Sequence, residues 1–212
     1  MSNSIAIASG KGGVGKTTIA VNLALTLSQM GSKVSLMDAD FGLANAHIML
    51  GINPKRTIRD MLKNSLQVED VIETAPNGIK FISGGSGLID ILNVEKNSML
   101  QLINAINPIE KQTDTLVVDI PAGASDQSMT FASAVDKLVI VLVGEPTSFM
   151  DAYTFIKSAN LAYDIQNFSV VVNMADNEEA AQQIFNKFQN AVIKFFDANL
   201  TFAGGITRSK KV

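Results

Sequence analysis

Short runs of apolar, largely β-branched residues recur along the chain with little polar alternation: Ile5–Ala8, Val34–Met37, Ile79–Ile82, Leu116–Val118, Leu138–Val143, Val170–Val172 and Leu200–Phe202. A strand with one wet face alternates apolar and polar residues. Unalternating runs fit strands buried on both faces, the condition of a parallel sheet. Between them lie segments with helical spacing: Thr18–Met30, with Ile19, Leu23, Leu27 and Met30 in step, then Lys96–Ile106 and Asp151–Leu161. The alternation predicts an α/β fold, a doubly wound, mostly parallel sheet flanked by helices. A helix over Glu178–Phe196 would gather Ala181, Ile184, Phe185, Phe188, Val192, Phe195 and Phe196 on one stripe. Its polar face carries few cations, which favours packing on a sheet over lying on a membrane.

With 212 residues, 47% of them hydrophobic, the chain is long enough for one well-buried domain and short for two. Residues 1–212 are therefore expected to form a single domain. Seventeen basic and twenty acidic residues leave a formal charge of −3, so no global field favours DNA or an anionic membrane. The absence of cysteine removes disulfides, thiolate nucleophiles, iron–sulfur ligation and cysteine zinc sites, and the lone His47 cannot build a histidine metal site. Magnesium held by oxygen ligands remains. Met1–Ser4 carry no basic segment before an apolar stretch, and the apolar run Leu138–Val143 is too short to cross a bilayer. A cytoplasmic location is expected.

The segment Gly10-Lys11-Gly12-Gly13-Val14-Gly15-Lys16-Thr17-Thr18 stands between the first predicted strand and the first predicted helix. It satisfies G-x-x-x-x-G-K-[ST], the pattern of a loop that curls its backbone N–H groups around phosphates at a helix N-terminus. Lys16 is expected to reach the β- and γ-phosphates of ATP, and the Thr17 hydroxyl to ligate magnesium. A glycine-rich turn alone could be only a turn; the Lys-Thr pair and the strand–loop–helix context argue otherwise. Asp38-Ala39-Asp40 follows the strand ending at Met37, so both carboxylates fall at the carboxyl edge, where such sheets bind ligands. Helix capping or turn formation would suit either Asp equally well in isolation. Leu116–Gly123 has the form of an apolar strand ending in Asp119, able to hold magnesium through water, with Gly123 placed to move its backbone when a γ-phosphate leaves. No glutamate or histidine occupies an evident general-base position, which suits a slow, switching ATPase.

Lys11 to Thr18 resembles the deviant Walker motif of the MinD/ParA family of ATPases. The resemblance implies that Lys11 crosses to the nucleotide of a second subunit when two ATP-bound protomers face each other. It implies that Asp40 positions and polarises the attacking water and belongs with Thr17 and Asp119 to the magnesium surroundings, with Asp38 in support beside Lys16. Asn173, which closes the run Val170–Val172, is similar to the family's adenine-recognising asparagine; turning the chain is the plainer role for it. The stretches Asp38–Asn45, Leu50–Ile58, Ile82–Gly87 and Glu145–Ser148 are similar to the FlhG/FleN branch, whose members control flagellar number and placement through protein partners.

Two departures qualify the likeness. Only Met1–Ser4 precede the first strand, where branch members carry a leader that activates a partner GTPase. Thr207 stands in place of a usual proline, and the chain stops at Val212. The final helices and the membrane-targeting helix are thus expected to be absent, inner-membrane attachment needing a longer chain. Arg208, Lys210 and Lys211 read as a solvated tail. The competing readings are a MinD-type division-site ATPase, a ParA-type partition ATPase, disfavoured because the charge gives DNA little to hold, and a phosphoryl transferase or ligase of the dethiobiotin-synthase kind, which leaves Lys11 without a role. Electron transfer of the nitrogenase-iron-protein kind is excluded by the missing cysteines.

Overall fold

The computed structural model describes residues 3–41, 45–64, 66–85, 102–104, 106, 108–109 and 112–209. Among these, eight strands are present: β1 (Asn3–Ala8), β2 (Val34–Asp38), β3 (Ile72–Thr74), β4 (Lys80–Ser83), β5 (Thr115–Asp119), β6 (Lys137–Leu142), β7 (Asn167–Ala175) and β8 (Asn199–Thr207). They form one sheet of order β3-β4-β2-β5-β1-β6-β7-β8. The pairs β2–β4, β2–β5, β6–β7 and β7–β8 are parallel. The two-sided burial read from the sequence is complete in β2 and β5, where every residue is buried. The sequence pattern missed β3, which pairs antiparallel with β4 at the sheet edge. Its three residues are at most half-buried, too few and too wet to show a period.

The helices are α1 (Lys16–Gln29), α2 (Ala46–Leu50), α3 (Ile58–Asn64), α4 (Asp126–Ser133), α5 (Pro146–Tyr163) and α6 (Glu178–Val192). The expected helix at Thr18–Met30 is α1, and that at Asp151–Leu161 lies inside α5. The start of α5 at Pro146 uses proline's preset φ where no intrahelical donor is needed. Of the expected helix Lys96–Ile106, residues 96–101 and 105 lie outside the described residues, while 102–104 and 106 are helical. Gly42–Ala44, Ser86, Gly87, Lys210 and Lys211 also lie outside them.

The Asn177 side chain caps α6 by accepting the Ala180 N–H at 2.8 Å, and Glu178 and Glu179 sit in its first turn, favourable against the helix dipole. The helix ends at Val192, short of the expected Phe196. Ala181, Phe185, Phe188 and Val192 are buried as the stripe required, whereas Phe195 is 69% exposed and meets Tyr153 edge-on. No described helix is long and apolar enough to cross a membrane.

Contacts group the chain into two compact units. The first comprises Met1–Ala6, Thr17–Pro121 and Ala134–Asp136; the second comprises Ile7–Lys16, Ala122–Ser133 and Lys137–Val212. Leu36, Phe41, Ile58, Phe81, Ile82 and Val117 are among the fully buried residues of the first, and Ile140, Leu142, Phe155, Phe168 and Phe188 of the second. Each such side chain is worth about 1.5–3 kcal/mol relative to exposure.

Candidate nucleotide site

In the first unit, parallel register aligns Ser83, Asp38 and Asp119 at the carboxyl ends of β4, β2 and β5. The Ala39 N–H donates to the Asp119 carbonyl at 2.9 Å, carrying the ladder one residue past β2. The Thr17 hydroxyl donates to Asp119 Oδ2 at 2.6 Å, across 102 residues of sequence. With Asp119 only 1% exposed, this is a short, charge-assisted bond in a dry setting. A hydroxyl and a carboxylate side by side offer oxygen donors of the kind magnesium takes, with phosphate and water filling its remaining positions. No group of three or more His, Cys, Asp and Glu gathers among the described residues, so such an ion would draw much of its oxygen shell from its ligand and water.

Asp38 is 1% exposed and faces back into its own chain. Its Oδ1 accepts the Asp40 N–H at 3.1 Å, and its Oδ2 accepts those of Asn45 and Ala46, each at 3.0 Å. Burial raises its pKa above 3.8, with Asp40's charge adding to the rise and the three backbone donors opposing it. The carboxylate therefore holds the backbone of Asp40 and that of Asn45 and Ala46, a local structural role of the kind left open by the sequence. Asp40 is half-buried. Phe41, which the sequence marked only as part of a stretch of family likeness, is fully buried, and Gly84 packs so tightly on its ring that a Cβ there would collide. This anchor fixes the backbone just beyond Asp40.

In the second unit the segment Ile7–Lys16 runs from the end of β1 to the first residue of α1. Gly13 and Gly15 have φ of +80° and +93°, the left-handed region that L side chains rarely adopt. A Cβ at Gly12 or Gly13 would meet nothing within 4 Å, so at Gly13 conformation rather than crowding calls for glycine. At Gly10 the reason is space: a Cβ would strike the backbone of Asp151 and Ala152 in α5. Val14 is 3% exposed and Lys16 8%, while Gly12, Gly13 and Thr18 are open to solvent. The Gly123 N–H donates to the Ser9 carbonyl at 2.9 Å, with Gly123 at φ +85°.

The Lys11 amine lies 3.0 Å from Glu145 Oε2 and donates to Thr147 Oγ1 at 3.2 Å. The Ser9 hydroxyl holds the Lys11 carbonyl at 2.7 Å. Glu145 and Thr147 lie in a stretch singled out only for family likeness, and their grip on Lys11 crosses more than 130 residues. Asn173 is 8% exposed; its Nδ2 donates to the Val14 carbonyl at 2.8 Å and its Oδ1 accepts the Met174 N–H at 2.9 Å.

Taken by itself, the second unit offers a left-handed glycine loop with a buried lysine, chemistry that suits phosphate, and the first offers a hydroxyl–carboxylate oxygen pair, chemistry that suits magnesium.

Comparison with known proteins gives the family. The family described as ParA, NUBPL iron-transfer P-loop NTPase, matches residues 1–206. The antiactivator FleN of Pseudomonas aeruginosa is 37% identical over 208 residues, covering 98% of this chain and 74% of that protein. The flagellum site-determining protein YlxH of Helicobacter pylori is 31% identical, covering 97% and 69%. Among solved structures, the MinC:MinD cell division protein complex of Aquifex aeolicus superposes with a TM-score of 0.77 at 26% identity, covering 99% of this chain and 83% of that one. The chain thus spans about two thirds to three quarters of the length of these curated relatives.

Proposed function

The chain belongs to the ParA/MinD family of P-loop ATPases, and from that premise we propose that it is a slow, magnesium-dependent ATPase whose ATP-bound form pairs with a second copy to engage protein partners of flagellar assembly or its regulation. On this reading residues 1–212 act as one ATPase domain. Gly12, Gly13, Val14 and Gly15 present backbone N–H groups to the phosphates, Lys16 adds its charge, and Thr18 continues the loop into α1. Asn173 meets adenine.

Thr17 and Asp119 would hold the magnesium, Asp119 through water. When bound, the ion would supply positive charge against the charge that develops on the phosphates during transfer. Asp40 orients the attacking water, near the ion, and Asp38 holds the turn that carries Asp40. Gly123 shifts its N–H between the Ser9 carbonyl and the γ-phosphate, which makes the segment after β5 sensitive to hydrolysis.

The observation that carries the switch reading is Lys11. Its amine stands at the surface of the phosphate loop, held by two exposed side chains. A cation delivered in trans to a triphosphate makes pairing depend on the γ-phosphate. The name of YlxH, a flagellum site-determining protein, points to flagellar control, that of the antiactivator FleN to regulation of an activator, and that of MinD to septum placement. Iron transfer, named in the family description, is disfavoured because this chain has no cysteine to hold iron.

Light scattering with ATP, with ADP and with the Asp40→Ala variant in ATP tests the switch. The expected result is a monomer in ADP, a dimer in ATP and a longer-lived dimer in the variant; a monomer under all three conditions overturns it. Deleting the gene and counting flagella per cell tests the process. Normal flagella with misplaced septa would transfer the assignment to division.

A further inference from the structure

The amide of Asn173, assigned above to the base, faces the phosphate loop. Asn173 lies on β7, Val14 and Gly15 in the loop, and 159 residues separate the bonded pair. The side chain is held at both ends, Nδ2 by the Val14 carbonyl and Oδ1 by the N–H of Met174. Met174 itself has φ 55°, a conformation uncommon outside glycine, asparagine and aspartate, which brings its N–H back onto its neighbour's side chain. Gly15 lies so close that a Cβ on it would collide with Asn173 Nδ2, and its φ of +93° is left-handed. One side chain thus sets the Val14–Gly15 peptide by a hydrogen bond and by contact.

That peptide matters for chemistry. In a trans peptide the carbonyl and the following N–H point in opposite directions. Fixing the Val14 carbonyl on Asn173 therefore fixes the direction of the Gly15 N–H, one of the donors a phosphate loop presents. A carboxamide has two N–H groups and a carbonyl oxygen with two acceptor positions. One of each is used here, leaving one donor and one acceptor for a base edge.

We propose that Asn173 is a positioning residue for the phosphate loop, coupling base recognition to the geometry of the loop's own N–H donors. The proposal rests on the nucleotide reading above and deepens it. A base-contact residue acts only on ligands that carry a base. A loop-positioning residue acts on bare polyphosphate as well.

The test is calorimetric titration of magnesium tripolyphosphate and of magnesium ATP into the wild-type protein and the Asn173→Ala, Asn173→Asp and Lys16→Ala variants. Asn173→Asp keeps the shape and turns an oxygen toward the Val14 carbonyl, and circular dichroism establishes that each variant is folded. Tripolyphosphate affinity is expected to fall about tenfold in both Asn173 variants, the scale of a lost buried hydrogen bond. Tripolyphosphate binding within twofold of wild type, with ATP binding weakened, overturns the proposal and leaves Asn173 a base contact. Wild-type protein that binds neither ligand, and matches Lys16→Ala, sinks the nucleotide reading instead. Where tripolyphosphate binds too weakly to titrate, the backbone order parameter of Gly15 in ligand-free protein decides: a drop in both variants supports loop positioning, and an unchanged value overturns it.

Discussion

Asp38 is a carboxylate enclosed by the N–H groups of Asp40, Asn45 and Ala46, and its burial outweighs them. Its folded pKa is raised, so above 3.8 the folded protein keeps a proton that the unfolded chain has released. Stability contributed by this group therefore falls as pH rises through the window between 3.8 and the raised value, and the cost is full above it. Asn cannot ionise at this position. In urea unfolding without nucleotide or magnesium, from pH ~4 to neutrality, wild type is expected to lose stability relative to Asp38→Asn as pH rises. Parallel curves would show that the three donors balance burial, and a wild type that gains on the variant would show that they outweigh it; either overturns the expectation.

At the scale of elements, the phosphate loop and the acids ending β2 and β5 were legible because their signals are local: a fixed spacing of glycine and lysine, and carboxylates ending apolar runs. The wrapping of Lys11 by Glu145 and Thr147, and of Val14 by Asn173, was not, since those partners lie 134, 136 and 159 positions apart and nothing near either end announces the other. Helix α6 shows the same limit in miniature. Periodicity found its buried face but ran on through Phe195 and Phe196, because an apolar residue in step with a stripe reads alike whether the helix continues or turns away. A phenylalanine buried on α6 and one beyond its end separate clearly by measurement. Phe188 is 1% exposed and meets Phe149 at 5.6 Å between ring centroids, so Phe188→Ala should cost about 3–5 kcal/mol in denaturant unfolding. Phe195, 69% exposed with one ring contact to Tyr153, should cost about 1 kcal/mol or less. Equal losses would mean that the helix continues and buries both.

For the whole molecule, the proposed pairing requires Lys11 to leave its own chain. In the single chain its amine rests on Glu145 at 3.0 Å, with side-chain exposures of 39% and 61%. An ion pair this wet is worth about 0.2–1 kcal/mol, and a symmetric dimer breaks two of them. The cis contact thus favours the separated subunits by roughly two- to thirtyfold in the dimer dissociation constant. Glu145→Gln should tighten the ATP-bound dimer by a factor in that range in sedimentation equilibrium. The gain should shrink with added salt, because exposed charges are screened. In a Lys11→Ala background, where no cation remains to release, Glu145→Gln should leave the dissociation constant unchanged. A dimer weakened by Glu145→Gln would show that this glutamate serves the interface rather than the resting subunit. The same shift with and without Lys11 would show that it acts through something other than the loop cation.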